Sequence, residues 1–212
     1  YVSVAGTADI GGGRNYITLD FGSKAARRII IEGSVALCFD GVHVAAGDSV
    51  SLPTDLEPSL CLVLGDSFTA GTGTTNSRNG DSYAMVAGDL LGFDNFWLSA
   101  VGGTGYVNAN SQYKLADRIV ADIGRATAIG TVRKVFVAMG FNDFTLSGVQ
   151  AEAASCFATI RTLLPAASVT VVLPWDVNAP LSPNADRAAV VSAINAAASG
   201  RGGFKVVDPL AL

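Results

Sequence analysis

After residue 59, short segments rich in hydrophobic residues alternate with segments whose apolar positions recur with a helical period. Residues 60–64 form a continuous apolar run, and further strand-like segments lie at 95–100, 134–139, 168–173 and 204–207. The helical segments lie at 82–91, 113–128, 148–164 and 184–198. A continuous apolar run is typical of a parallel strand covered on both faces, and strands alternating with helices indicate βαβ units. The pattern therefore predicts an α/β fold: a parallel five-stranded sheet in a three-layer α/β/α sandwich.

The first part of the chain has a different pattern. Short β-branched or aromatic runs, each followed by Gly, Asp or Ser, lie at 16–21, 28–32, 35–39 and 42–44. Such runs are typical of antiparallel strands joined by tight turns, and no helical period is present. Pro53 and Pro58 flank a segment that has the composition of a linker. We predict a small β-rich, β-sandwich-like accessory domain over residues 1–58 and the main domain over 59–212.

Composition excludes several classes of partner. The chain has 212 residues, half of them apolar, a net charge of −4 and no run of Lys or Arg. This balance argues against binding to nucleic acid or to an anionic membrane surface. No stretch approaches the roughly 18 uninterrupted apolar residues that a membrane span needs. A single histidine and the lack of a paired-cysteine motif argue against a zinc site.

Three cysteines, Cys38, Cys61 and Cys156, stand at unrelated spacings. We interpret them as buried thiols that act as small hydrophobic residues. A Cys38–Cys61 disulfide would be compatible with a secreted protein. The cysteines do not define the compartment, although we favour a secreted or extracellular location.

Polar and glycine residues follow the first three predicted strands directly. Ser67 follows the first strand, a glycine-rich segment at 101–106 follows the second, and Asn142 follows the third. In parallel α/β folds, ligands bind beyond the carboxyl ends of the strands. A hydroxyl nucleophile that faces several hydrogen-bond donors suits acyl transfer, because negative charge develops on the carbonyl oxygen in the transition state.

These three segments resemble the sequence blocks of SGNH (GDSL-type) hydrolases, in the family's order. Gly65-Asp-Ser67 resembles the first block, the glycine of 101–106 the second, and Gly140-x-Asn142-Asp the GxND block. The resemblance implies a flavodoxin-like three-layer fold with Ser67 as the nucleophile. It further implies an oxyanion hole built from the Ser67 N–H, the Gly103 N–H and the Asn142 amide, with no metal or cofactor. Gly102 competes with Gly103 for this role.

One block of the family is missing from the sequence. The family has a DxxH block after its fifth strand, and the only histidine here, His43, lies in the predicted accessory domain. A serine needs a base to act as a nucleophile. We expect that the chain has been cut, and that a C-terminal segment or a second polypeptide supplies the Asp and the His. An inactive relative, or a base supplied by His43, are the alternatives.

Three aromatic residues are candidates for contact with the substrate. Tyr106 and Phe141 neighbour the predicted oxyanion groups and could shape an acyl pocket. Trp175 ends the fourth predicted strand and could line the same pocket.

The charged residues near the strand ends have simpler interpretations. We expect Asp66 and Asp143 each to order its own loop through backbone hydrogen bonds. Asp208 follows the last strand and is interpreted as a turn residue. Arg118 is expected on the surface, paired with Asp122 four residues along the helix.

The predicted function is hydrolysis of a carboxylic ester through an acyl-enzyme on Ser67. The accessory domain resembles the β-sandwiches that precede some carbohydrate esterases of this class, which suggests O-acetyl groups on a polysaccharide as the substrate. A small ester suits the residues equally well. An inactive SGNH-fold protein with a carbohydrate-binding or structural role is one alternative. A flavodoxin-like phosphate site at the hydroxyl-rich segment 69–75 is another.

Overall fold

The structure is a computed structural model that describes residues 19–27, 29, 41–51, 59–72, 82–93, 95–175 and 185–211. The chain divides into two compact units, Tyr1–Ile30 and Ile31–Leu212. In the first unit, the described residues contain no helix or strand. There Arg27 donates to the Ser23 hydroxyl and lies over the Phe21 ring.

The strands predicted before residue 58 are only partly described. The run at 35–39 lies outside the described residues, and those at 16–21 and 28–32 lie largely outside them. The run at 42–44 is described and forms neither strand nor helix, so this predicted strand is wrong. A turn follows it, closed by a hydrogen bond from the Asp48 N–H to the Ala45 carbonyl (3.0 Å). The accessory domain over 1–58 stays a prediction.

The second unit contains a five-stranded parallel sheet, as the sequence pattern predicts. Its strands are β1 (Ser59–Gly65), β2 (Phe96–Ala100), β3 (Thr131–Ala138), β4 (Ser168–Val172) and β5 (Phe204–Val207). Its helices are α1 (Tyr83–Leu90), α2 (Leu115–Ile129), α3 (Val149–Leu163) and α4 (Ala185–Ala198). The strands lie in the order β2-β1-β3-β4-β5, and all neighbours are parallel.

Helices cover both faces of the sheet and make it the middle of three layers. Leu60, Leu62 and Leu64 of β1 belong to the larger core, in which buried residues of α2, α3 and α4 pack. Cys61 and Val63 point to the opposite face and pack with residues of α1. Because both faces of β1 are buried, its sequence is a continuous apolar run rather than an alternating one. The predicted α/β/α architecture is confirmed.

Local signals in the sequence define the helix ends. The Ser82 hydroxyl accepts a hydrogen bond from the Met85 N–H (3.3 Å) and caps the start of α1. Gly92, with a φ of +72°, follows the end of α1 in the left-handed conformation that favours glycine. No helix in the described parts of the chain is long and apolar enough to cross a membrane.

The strand order determines where a site can form. The chain runs from β1 to β2 on one side and later to β3 on the other side of β1. The connection after β1 leads to β2 and the connection after β3 leads to β4 on the opposite side, so the two diverge between the carboxyl ends of β1 and β3, which is where ligands bind in sheets of this kind. Ser67 follows the carboxyl end of β1.

Candidate active site

The first loop of the site is a tight turn after β1. The Ala70 N–H donates to the Asp66 carbonyl (3.0 Å), and the Thr72 N–H donates to the Ser67 carbonyl (2.9 Å). The Asp66 carboxylate accepts a hydrogen bond from the Phe68 N–H (3.0 Å), so Asp66 orders its own loop as expected. The turn leaves Ser67 half-buried at the end of the sheet.

Gly65 allows this turn to fold back on the strand. A Cβ at Gly65 would lie 2.0 Å from Oγ1 of Thr69, which no real contact permits. Thr69 is fully buried, and its hydroxyl lies 2.7 Å from the Tyr83 hydroxyl. The Thr69 hydroxyl is therefore engaged in the interior, which argues against the alternative that segment 69–75 presents it to a phosphate.

The second loop brings a glycine next to the serine. A Cβ built on Gly102 would lie 3.6 Å from the Ser67 Cβ. The next residue, Gly103, has a φ of +73°, and the three atoms nearest to a Cβ there all belong to Asn110. Gly102 therefore approaches the Ser67 side chain, and Gly103 approaches Asn110. The assignment of the oxyanion N–H to Gly103, with Gly102 as the competing residue, stays a prediction.

The third loop is a single 3-10 turn, Phe141–Asp143, after β3. The Asn142 side-chain Nδ2 donates to the Thr104 carbonyl of the second loop (2.9 Å) and lies 3.5 Å from Oδ2 of Asp66. The three loops therefore meet at one point, and Asn142 contacts both of the others.

Asp143 connects the third loop to the second. Its carboxylate is fully buried and accepts hydrogen bonds from three consecutive backbone N–H groups, those of Tyr106 (2.7 Å), Val107 (3.1 Å) and Asn108 (2.9 Å). The Asn108 side chain in turn donates to the Asn142 carbonyl (2.9 Å). The expectation that Asp143 orders its own loop is therefore corrected, because these three N–H groups belong to the second loop.

Aromatic side chains surround the first turn. The Phe68 ring packs edge-on against Phe141, with centroids 4.9 Å apart, and against Trp175 at 5.4 Å. Trp175 also packs against Tyr83 at 4.8 Å. These four residues are half-buried, and Phe141 and Trp175 pack against the residue that follows Ser67. Their contact with a substrate stays a prediction.

Tyr106 does not belong to this surface. Its side chain is fully buried and packs edge-on against Phe157, with centroids 5.9 Å apart. Burial, with smaller contributions from Cys156 and Asp143, raises the pKa of its hydroxyl well above the ordinary value. The hydrogen bond of its backbone to Asp143 fixes the residue with its ring in the core, so Tyr106 does not line an open pocket.

Asp66 has an unusual protonation equilibrium for a carboxyl group. Burial raises its pKa from 3.8 to about 6, against the lowering effect of the Phe68 N–H. The nearby Asp143 charge also raises the pKa. Asp66 therefore titrates close to neutral pH, within contact distance of Asn142.

Two further charged residues, Arg118 and Asp208, make more contacts than the sequence predicts. Arg118 pairs with Asp122 as expected (2.8 Å), but it is only 8% exposed and is not a surface residue. Asp208 accepts a hydrogen bond from the Leu210 N–H (3.0 Å), as expected of a turn residue, and also pairs with Arg187 of α4.

The histidine and the cysteines do not belong to the three loops. His43 is exposed and belongs to the irregular segment 41–51. Cys61 and Cys156 are free, buried thiols, and burial raises the pKa of each to about 12. Cys38 lies outside the described residues.

The family model for GDSL-like lipases and acylhydrolases matches the sequence over residues 63–212, which include all three loops. The chain belongs to this family. As a GDSL-like protein with this fold, it is a member of the SGNH hydrolase superfamily that the three sequence blocks resemble. Membership supports hydrolase activity of the esterase or acylhydrolase class. No curated protein matches the chain.

Solved structures of similar fold include several esterases. A family two carbohydrate esterase from Cellvibrio japonicus is 22% identical over 72% of this chain, with a TM-score of 0.58. One from Clostridium thermocellum, solved with cellohexaose, is 17% identical over 75%, with a TM-score of 0.60. An acetyl xylan esterase from Butyrivibrio proteoclasticus is 14% identical over 76%, with a TM-score of 0.54. The GDSL-like chain spans 52%, 56% and 57% of these proteins. At these identities the likeness shows the fold alone.

Proposed function

We propose that this protein is a serine esterase that hydrolyses carboxylic esters through an acyl-enzyme on Ser67. The observation that carries the proposal is the meeting of three loops at this residue. Gly102 of the second loop borders Ser67, and Asn142 of the third loop contacts both the first and the second. A hydroxyl among convergent hydrogen-bond donors is the arrangement that acyl transfer requires.

In the proposed reaction, Ser67 Oγ attacks the ester carbonyl and its proton passes to a base. The negative charge on the carbonyl oxygen is stabilised by the N–H groups of Ser67 and Gly103, with Gly102 as the competing assignment, and by the Asn142 amide. The Asn142 Nδ2 carries two hydrogens: one is held by the Thr104 carbonyl (2.9 Å), and the other, which has only a long contact with Asp66 Oδ2 (3.5 Å), is proposed to donate to the substrate. Collapse of the intermediate releases the alcohol with the proton, and water then hydrolyses the acyl-serine.

The base of this reaction is proposed to come from another segment or polypeptide. The contacts between the three loops are made by an amide, buried carboxyl groups and aromatic rings, and His43, the single histidine of the sequence, belongs to none of these loops. A serine hydroxyl without a base retains only residual catalysis. We therefore propose that an Asp and a His supplied from beyond these residues complete the site.

O-acetyl groups on a carbohydrate are the proposed substrate, and a small ester is the alternative. The names of the similar structures, carbohydrate esterases and an acetyl xylan esterase, support the first. Phe141 and Trp175, which flank Phe68, offer apolar surface next to the nucleophile in either case. A secreted location suits a polysaccharide substrate.

The test of the nucleophile uses the full-length natural protein with p-nitrophenyl acetate. We expect Ser67→Ala to abolish turnover and Asn142→Ala to lower kcat by roughly 10²–10³ with the fold intact, because one oxyanion donor is lost. An exposed serine variant, Ser111→Ala, is the control and should retain full activity. Undiminished turnover by Ser67→Ala would disprove the assignment.

The test of the base compares the 212-residue chain with the full-length protein. We expect the 212-residue chain to hydrolyse the ester at nearly the low rate of its own Ser67→Ala variant. Replacing the only histidine of this chain, His43→Ala, should leave the activity of the full-length protein unchanged. Loss of activity in that variant would assign the base to His43 instead.

A further inference from the structure

Arg118, on α2, is a buried arginine that contacts two adjacent strands. Its Nη2 donates to the Gly65 carbonyl of β1 (2.9 Å). Its Nη1 donates to Ser99 of β2, to both Oγ (2.9 Å) and the carbonyl (3.3 Å), and to the Asp122 carboxylate (2.8 Å). The Ser99 hydroxyl donates its own hydrogen to Asp122 (2.7 Å). One guanidinium therefore holds the ends of β1 and β2 together.

These contacts lie directly before the two loops that meet at the nucleophile. Gly65 precedes Ser67 by two residues, and Ser99 precedes Gly102 by three. The Gly65 carbonyl also accepts a hydrogen bond from the Val101 N–H (3.2 Å), so the first residue of the second loop shares this acceptor with Arg118. The guanidinium thus fixes the point from which both loops leave the sheet.

Burying Arg118 costs free energy, because one of its hydrogen-bond donors is left without a partner in the described part of the chain. An apolar side chain would fill the same space without this cost, so packing alone does not explain why an arginine stands here. Its Nε has no hydrogen-bond partner among the described residues, although the atom is buried. A buried ion pair is often replaceable by apolar side chains of similar volume without loss of stability. Apolar side chains could not reproduce the two Nη groups of the guanidinium, which donate hydrogen bonds to the ends of two strands.

We propose that Arg118 is a positioning residue that sets the distance between the Ser67 turn and the Gly102 loop, and so aligns the nucleophile with the oxyanion hole. The inference rests on the proposed esterase function. Arg118 lies beneath the strand ends and, at 8% exposure, offers no surface to a substrate. Its loss therefore changes the alignment of the reacting groups while the groups that bind the substrate stay in place.

The expected effect falls on kcat. A misplacement of about 1 Å in a catalytic group can lower the rate about 100-fold. We expect Arg118→Met to lower kcat about 10- to 100-fold in the full-length protein with p-nitrophenyl acetate, and KM to change by less than about threefold. Arg118→Lys keeps the charge but reaches fewer acceptors, so its kcat should be intermediate.

The matched control is Arg125 on the same helix. Arg125 also contacts Asp122 (3.4 Å), but its side chain is 68% exposed and the contact does not extend to a strand end. Arg125→Met should leave kcat and KM unchanged. The fraction of folded protein is measured for each variant by circular dichroism, and kcat is expressed per folded molecule.

Each outcome decides the proposal. Wild-type kcat in folded Arg118→Met or Arg118→Lys, or a rise in KM alone, overturns it. If Arg118→Met does not fold, the kcat of folded Arg118→Lys and of folded Ser99→Ala is measured instead, and wild-type values would overturn the proposal. If none of the three variants folds, Arg118 serves stability and the proposal is also overturned. If Ser67→Ala remains active, the proposed function itself fails; an inactive Ser67→Ala beside fully active Arg118 variants rejects only the positioning role.

Discussion

The carboxylate of Asp143 offers a sharp test of how the site is held together. It is fully buried and accepts hydrogen bonds from the backbone N–H groups of residues 106–108. One side chain of the third loop therefore orders the second loop. The perturbation is Asp143→Asn, which preserves shape and replaces one carboxylate oxygen by an NH₂ group. Asp143→Ala removes both acceptors.

The structure allows the size of each effect to be estimated. Oδ1 accepts two of the three hydrogen bonds and Oδ2 accepts the third, from Tyr106. With the amide oxygen at the Oδ1 position, Asp143→Asn keeps two bonds and sets its NH₂ against the Tyr106 N–H, which should lower the free energy of unfolding by about 1–3 kcal/mol. Asp143→Ala leaves one buried N–H group (Tyr106) and two half-buried ones (Val107 and Asn108) without an acceptor and should lower it by about 2–5 kcal/mol.

The assay is equilibrium unfolding in urea, monitored by tryptophan fluorescence at constant pH. Asp89→Asn on α1 is the matched control, because Asp89 is exposed and its replacement should change the free energy of unfolding by less than about 0.5 kcal/mol. Ester hydrolysis by the folded Asp143→Asn protein should fall as well, since the second loop carries Gly102.

A second variant approaches the same contact from the other side. A Cβ at Gly105 would lie 2.1 Å from Oδ1 of Asp143, so Gly105→Ala must displace the carboxylate. The two changes disturb one contact, and the double variant should be less destabilised than the sum of the single variants. Additive effects, or an Asp143→Asn protein as stable as Asp89→Asn, would refute this account of the loop.

Two further predictions concern the first loop. Burial raises the pKa of Asp66 to about 6 in the folded protein, against an ordinary value of 3.8 for the unfolded chain, so the native state retains a proton that the unfolded chain has lost between those values. The stabilisation from this proton is complete below pH 3.8 and is lost as the pH rises through 6. Relative to Asp66→Asn, the free energy of unfolding of the wild type should fall by about 2 kcal/mol between pH 4 and 7 in urea titrations, and an unchanged difference would contradict the burial argument. Gly65→Ala must displace buried Thr69 and should lower the free energy of unfolding by at least about 2 kcal/mol in urea, whereas Gly124→Ala, where no atom lies within 4 Å of a Cβ, should not destabilise the protein.

The sequence predicts the sheet well because each strand of a parallel sheet that is covered on both faces is locally rich in apolar residues. The predicted strand ends are wrong where charged residues interrupt this enrichment. β3 begins at Thr131, three residues before the predicted start at Lys134, and Arg133 and Lys134 are exposed. The charge of Arg133 conceals the start of the strand in the sequence, although Thr131 and Val132 already pair with Ser59 and Leu60 of β1.

The sequence contains a signal for the burial of Arg118, which the interpretation of Arg118 and Asp122 as a surface ion pair overlooks. Arg118 and Asp122 are one helical pair, but they also lie between Leu115, Ile119 and Ile123, which form the buried face of α2. Positions that follow an apolar residue by three along a helix belong to the same face. A charged pair within an apolar stripe predicts a buried polar contact, and here that contact reaches the strand ends.

The role of Asp143 had no comparable signal, because its partners lie 35 to 37 residues away along the chain. Motifs identify which side chains can perform the chemistry, since a serine, a glycine and an amide are recognisable one at a time. Their relative positions depend on buried polar contacts between loops: Arg118 with the Gly65 carbonyl, Asp143 with the second loop, and Asn142 with the Thr104 carbonyl. Each contact joins elements that the sequence treats as independent. We therefore expect that residues which do not contact the substrate affect the proposed turnover at this site.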